Sequence, residues 1–369
     1  MSLSFIPKNR KPTNVSSGGS WIPKRESRPQ EDKPAAPTDR FLPDLKAPDM
    51  QPKVPGEAKT ETAPLSLDTL NWAQQAALDK LPPIAANALH HVWDVVGANS
   101  ARAQLLELLE KETLPKTDQG QTVAESLQKL TTNSRGYGID PEALTRQSVA
   151  LLAQPARFTN QGINTYTCGA ANLQYELTEN PARLARFIED ITDEDGAMTL
   201  HGGETFVRPE GAEQEDNSGR NSLNRLIQST LMNYAGSSRG PYNPSTDTFA
   251  DGEHGLKILE VARTAALLDG EPKVVVHHNG GSSKEFHRIM KSSKPDETFQ
   301  VGVSWNDQDH LLVFTGQKDG QATFFNAQDS TTGSMAMDDF LYKTQFAVFS
   351  ADKIEGAELP EDSIYRPGT

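Results

Sequence analysis

Helices come first in this chain and strands, for the most part, last. Apolar residues recur at helical spacing through much of the stretch from Ser66 to Leu268, whereas from Lys273 onward the apolar runs are short, rich in valine and phenylalanine, and bounded by turn residues. That order argues for an α+β fold with an antiparallel sheet, because successive parallel strands need a crossover between them. Ser66 is placed to cap a helix over 66–81 that Pro82-Pro83 ends, and Gly97 stops a second over 84–96. Ser100 caps a third over 100–112, and shorter helices follow over 121–131 and 140–153, the latter opening with Asp140-Pro141. A short strand pair is expected over 196–208, and further helices over 222–234 and 255–268. In the last third, the runs Phe299–Trp305 and His310–Gly316 make a hairpin, Lys318-Asp319-Gly320 a second tight turn into Ala322–Phe325, and 340–349 a closing strand.

Four segments follow from this texture. Residues 1–64 hold nearly half of the chain's 24 prolines and few large apolar side chains, so they are expected to be a disordered leader. Within the leader, Ser4-Phe5-Ile6-Pro7-Lys8 recurs as Ser20-Trp21-Ile22-Pro23-Lys24, a unit suited to docking as an extended peptide on a delivery or loading partner. Residues 65–154 form a helical region without visible chemistry, 155–352 a catalytic domain, and 353–369 a flexible tail. Two long loops stand out, an acidic flexible one over 210–216 and a Gly/Pro/Asn/Ser-rich surface loop or lid over 236–252. The net charge of −14 and the lack of a Lys/Arg cluster argue against nucleic acid as a partner. No apolar run reaches membrane-spanning length, and the first residues lack the apolar core of a secretory signal. Synthesis in the cytoplasm is expected, with any export by a specialised route.

Cys168 is the only cysteine, so it cannot form an internal disulfide. A polar, turn-forming run over 159–167 precedes it, and Ala170, Leu173 and Leu177 mark one face of a helix that follows. The sulfur therefore stands at a loop-to-helix junction, where unpaired N–H groups and the helix dipole favour a thiolate. A depressed thiol pKa is the expectation.

A cysteine nucleophile needs a base, and the base needs an orienting group. Of the eight histidines, His310 stands at the start of a strand just after a polar turn, where its ring can face a cleft. The next strand ends at Asn326, and antiparallel pairing brings strand end beside strand start. Asn326 can then accept an imidazole N–H and set the tautomer, with Asp329 the alternative orienter if the register differs. His201 could line the same cleft, His277 and His278 end a strand, and His254 and His287 are placed at a helix start and a helix face. His90 and His91 lack the further ligands a zinc site needs, and no metal or cofactor is expected.

The order Cys, His, Asn, with a glutamine shortly before the cysteine, resembles the papain-like cysteine peptidase superfamily. Asn160-Gln161-Gly162 is similar to that family's oxyanion segment, and Thr167-Cys168-Gly169-Ala170 to the nucleophile segment of bacterial double-glycine-leader peptidases and related effector proteases. Asp309-His310-Leu311 is similar to its histidine strand and Phe325-Asn326-Ala327-Gln328 to its third-residue turn. The chain departs from papain in having no tryptophan after the cysteine and no proline or Ser-Trp pair after Asn326. The resemblance implies a papain-like fold over about 155–350 and a thioester mechanism, with Cys168 as nucleophile, His310 as base and acid, and Asn326 as orienter. Gln161 and the Cys168 N–H would bind the oxyanion. A thiol protease acting on a protein or peptide, delivered to a target as a bacterial effector or toxin, is the first expectation. A glutamine deamidase, transglutaminase or acyltransferase shares the same first step. A non-enzymatic interaction protein with a structural Cys168 is the third reading.

Overall fold

A computed structural model describes residues 65–136, 139–278, 283–305, 308–354 and 364–367. The leader and its two aromatic-Ile-Pro-Lys units lie outside the described residues. All the described residues belong to one compact unit.

The fold is α+β. Six helices come first, α1 (Trp72–Asp79), α2 (Pro83–Val96), α3 (Asn99–Glu110), α4 (Val123–Thr132), α5 (Pro141–Ala153) and α6 (Pro155–Phe158), with a small β1–β2 ribbon (Thr117–Asp118, Gln121–Thr122) between α3 and α4. Their starts are mostly set by local chemistry. Asn71 and Thr122 form reciprocal capping boxes with Gln74 and Glu125, and Asp140 caps α5 with Pro141 in its first turn. Ser66 caps only a 3₁₀ turn, Leu67–Thr69, so the expected helix from 66 begins instead at Trp72. Ala98, not Ser100, precedes the third helix.

Four helices follow, α7 (Cys168–Leu177), α8 (Pro181–Thr192), α9 (Ser222–Ala235) and α10 (Ile258–Asp269). The β3–β4 hairpin (Ala197–Thr199, Thr205–Val207) separates α8 from α9, and the β5–β6 hairpin (Tyr242–Asn243, Thr248–Phe249) lies between α9 and α10. Residues of α2 to α5 share one continuous apolar core with α7 to α10, so the helical region is built into the rest and not merely beside it. The acidic 210–216 loop is tied down, because Asp216 pairs with Arg220 and Glu215 with Arg225. The 236–252 segment is likewise anchored. Arg239 pairs with Glu260 at 2.9 Å and lies 3.7 Å over the Phe249 ring.

The remaining strands are β7 (Lys273–His277), β8 (Phe299–Trp305), β9 (Gln308–Lys318), β10 (Gln321–Asn326), β11 (Thr331–Ala336), β12 (Thr344–Ser350) and β13 (Ile364–Tyr365). They form one antiparallel sheet in the order β11-β10-β9-β8-β12-β7-β13. The expected strand over 340–349 is split, with helix α12 (Met337–Lys343) before β12, and β11 has no counterpart in the sequence expectation. The tail expected to be flexible from 353 returns at Ile364–Tyr365 to pair with β7. Neighbouring side chains along a strand point to opposite faces, and both faces of this sheet are covered. Phe314 and Phe324 meet Phe340 of α12 and Phe286 of α11 (Ser283–Ser292) in one core cluster. Val313 and Phe325 meet Ala171 and Tyr175 of α7 in another, with the Tyr175 and Phe325 rings stacked at 4.1 Å. That second contact clamps α7, with Cys168 at its tip, against β9 and β10.

Candidate active site

Cys168 is the first residue of α7, so its own N–H and that of Gly169 have no partner within the helix. Helix α7 approaches α10 closely at this end, where a Cβ on Gly169 would lie 3.1 Å from Val261 and 3.3 Å from Leu256. The thiol is half-buried, and the backbone N–H of Leu311, the residue after His310, acts on it in the direction that favours the thiolate. Burial nevertheless pushes the thiol above its ordinary value. The N–H groups of Leu311, Gly169 and Cys168 oppose the shift, and the charge of Asp247 adds to it. This corrects the expected depression. The dipole and N–H groups act in the expected direction, but removing a thiolate from water costs more than they return.

His310 is half-buried at the start of β9, and its Nε2 lies 2.9 Å from Asn326 Oδ1. The same Oδ1 accepts the backbone N–H of Gln328 at 3.1 Å. A backbone N–H can only donate, so that atom is the amide oxygen and His310 Nε2 must carry the proton. Nδ1 is then the basic nitrogen. Burial holds the imidazole below its ordinary value, partly offset by the Asn326 bond and the charge of Asp329. Among the described residues, no hydrogen bond joins the Cys168 thiol directly to the imidazole. A neutral thiol and a neutral imidazole make the resting state these shifts favour.

The pairing that brings Asn326 to His310 differs in detail from a direct cross-strand pair. Phe325 is opposite Val313, so the same register puts Asn326 diagonal to His310, and the two side chains span the diagonal. Asp329 takes a different part, with its Oδ1 accepting from the Thr331 N–H at 3.2 Å and the Thr331 hydroxyl at 2.6 Å. It contributes charge to His310 without bonding to it.

Gln161 lies between the other parts of the site. Its N–H donates to the Ala327 carbonyl at 2.9 Å, next to Asn326, and its own carbonyl accepts the hydroxyls of Thr165 at 2.6 Å and Thr167 at 3.2 Å, next to Cys168. Its side-chain Oε1 is buried and has no hydrogen-bond partner among the described residues. The chain turns at Gly162, at φ +83°, where a Cβ would stand 2.8 Å from Ser218 and Arg220.

Sequence reasoning missed the support beneath this loop. Gln228 of α9 accepts from Arg220 at 3.0 Å and Thr167 at 3.1 Å, and donates to the Asn160 carbonyl at 2.8 Å and Gln174 at 2.9 Å. Gln174 donates to Asn224 at 2.6 Å, and Asn224 to the Phe158 carbonyl at 3.0 Å. Gln174 and Gln228 are wholly buried, so both ends of the loop before Cys168 hang on an internal polar network. Arg220 and Gln228 carry no local sequence signal of this role.

The other histidines lie elsewhere, with one exception. His201 borders a separate cavity with Asp118, Arg183 and Glu204, and His278 shares a 2.7 Å Nε2–Nε2 contact with His287. His91 bonds to Thr131. The exception is His254, whose ring lies 4.7 Å from that of Tyr166 at a tilt of 38°, two residues before Cys168. Among the described residues, no cluster of three or more His, Cys, Asp or Glu side chains could hold a metal ion, and no helix is long and apolar enough to cross a membrane. The chain matches no protein-family model and no curated protein sequence.

Proposed function

We propose that the chain is a thiol-dependent hydrolase, a cysteine protease of papain-like fold that works through Cys168, His310 and Asn326. The observation that carries this reading is the His310–Asn326 bond of 2.9 Å on the strand whose next residue, Leu311, acts through its N–H on the thiol of the helix-terminal Cys168. Cys168 Sγ attacks a substrate carbonyl carbon while its proton passes to His310 Nδ1, the nitrogen left basic by the Asn326 bond. The negative oxygen that forms is met by the Cys168 N–H and the Gln161 side chain. The imidazolium then protonates the leaving amine, and water hydrolyses the thioester. In this reading the leader's repeats serve as a loading signal for delivery, and the protein acts as an effector on a protein substrate in a target cell.

The test compares the wild type with Cys168→Ala and His310→Ala on a proteome. New peptide N-termini that appear with the wild type alone support the protease. Gln-to-Glu changes without new N-termini make it a deamidase. Failure of an epoxysuccinyl reagent to label Cys168, with neither product, leaves a binding protein.

A further inference from the structure

The β5–β6 hairpin holds the nucleophile loop through one side chain. Asp247 Oδ2 accepts the backbone N–H of Tyr166 at 2.6 Å, and its Oδ1 accepts the Tyr242 hydroxyl at 2.6 Å. Its carbonyl lies 2.7 Å from His254 Nδ1, and the His254 ring packs at a tilt against Tyr166. Asp247 and His254 thus meet a position two residues before Cys168, with Tyr242 bonded behind Asp247. Asp247 takes φ +52°, in the left-handed region that few residues other than glycine enter, and aspartate is among those that tolerate it. At the exit, Gly255 takes φ +63°, and a Cβ there would lie 3.4 Å from the Tyr166 carbonyl. Tyr166 itself remains 57% exposed, so the contact does not exist to bury its ring. It exists where the loop enters helix α7.

We propose that Asp247 is a positioning residue for Cys168, latching the β5–β6 hairpin onto the nucleophile loop and setting a fixed negative charge against the place where the thiolate must form. The inference rests on Cys168 being the nucleophile. The charge acts on the thiol across the loop, in the direction that keeps it protonated. His310, neutral at rest, is the titratable group nearest Leu311 in sequence on the strand packed against Cys168, which also carries Asp309 and Lys318, and Asp247 on the hairpin side is the charge that acts on the thiol. The latch and the charge are separable. In Asp247→Asn the amide oxygen can still accept the Tyr166 N–H, and the amide N–H can donate to the Tyr242 oxygen. The shape is kept and the charge is lost. Tyr242→Phe does the reverse, removing one of the two bonds that fix the carboxylate while leaving its charge.

The experiment reads the thiol and the loop without any substrate, so it stands or falls apart from whether the chain cleaves peptides. Iodoacetamide alkylation of Cys168 against pH is measured on the full chain, together with exchange of the Tyr166 amide hydrogen. In Asp247→Asn the alkylation midpoint is expected to move to lower pH, with Tyr166 protection retained. In Tyr242→Phe the Tyr166 amide is expected to exchange roughly tenfold faster, with no downward movement of the midpoint. An unchanged midpoint in Asp247→Asn overturns the electrostatic half, and unchanged Tyr166 exchange in Tyr242→Phe overturns the latch.

Discussion

The imidazole of His310 and the amide of Asn326 meet at 2.9 Å, and the Gln328 N–H on the same Asn326 oxygen decides which nitrogen of His310 holds the proton. A tautomer is thus set by a backbone turn two residues beyond the orienting side chain. The nitrogen left basic, Nδ1, belongs to the residue before Leu311, whose N–H acts on the Cys168 thiol in the direction that favours the thiolate.

Replacing Asn326 tests this relationship. Asn326→Ala is expected to lower kcat/KM by about 10- to 100-fold, since the tautomer is freed but the other groups remain. Asn326→Asp keeps an acceptor and adds a charge, which raises the imidazole pKa. The acid limb of its pH–rate profile should move to higher pH, whereas Asn326→Ala should not show that shift.

The resting pair should be neutral, and this has a pH signature. The imidazole lies below its ordinary 6.5 and the thiol above its ordinary 9.0. Protonating His310 removes the base, so activity should be lost on the acid side only below pH 6.5. Alkylation of Cys168 should climb with pH through and beyond 9.0. A thiol already fully reactive at pH 6 would reveal an ion pair instead.

Gln161 is expected to act on turnover and not on thiol reactivity. Gln161→Ala should reduce kcat by roughly 10²- to 10³-fold, the usual effect of losing one oxyanion donor. Labelling of Cys168 by iodoacetamide should remain within about twofold of wild type. Equal losses in both would mean that Gln161 holds the loop and not the oxyanion.

A stability prediction comes from the far end of α7. Glu176 accepts from Gln300 at 2.7 Å and borders a cavity of about 290 Å³ with Asp269 and Lys273. Burial, and next the charge of Asp269, push its carboxyl up from 4.5 to about 8. Between those values the folded chain holds a proton that the unfolded chain has lost, so this group's stabilisation is complete at low pH and is lost as pH rises toward about 8. Glu176→Gln keeps the bond to Gln300 and removes the titration. It should stabilise the fold at pH 7 by on the order of 2 kcal/mol and leave it unchanged near pH 4, as read by denaturant midpoints.

Much of the architecture was legible along the chain because its causes are local. Asp140-Pro141 starts a helix through its own cap and fixed φ, and Lys318-Asp319-Gly320 turns β9 back into β10. Cys168 at a helix N-terminus follows from the polar run before it and the apolar spacing after it. His310 and Asn326 sit on consecutive strands, so their meeting needed only a hairpin. The split of 340–349 into α12 and β12 was hidden, because a short apolar run fits either period and only the packing of Phe340 and Leu341 into the sheet's core selects the helix.

What only the tertiary structure decided lies at long separation. Tyr166 meets Asp247 across 81 residues and Thr167 meets Gln228 across 61, and neither pair leaves a periodic or compositional trace. The sign of the Cys168 shift belongs here too. The helix terminus that favours a thiolate is written in the residues around position 168, but the burial that disfavours it comes from the apolar core that distant elements bring against Cys168. Desolvation sums over whatever the fold brings near, so a local stretch can state the dipole's direction and cannot state which effect is larger.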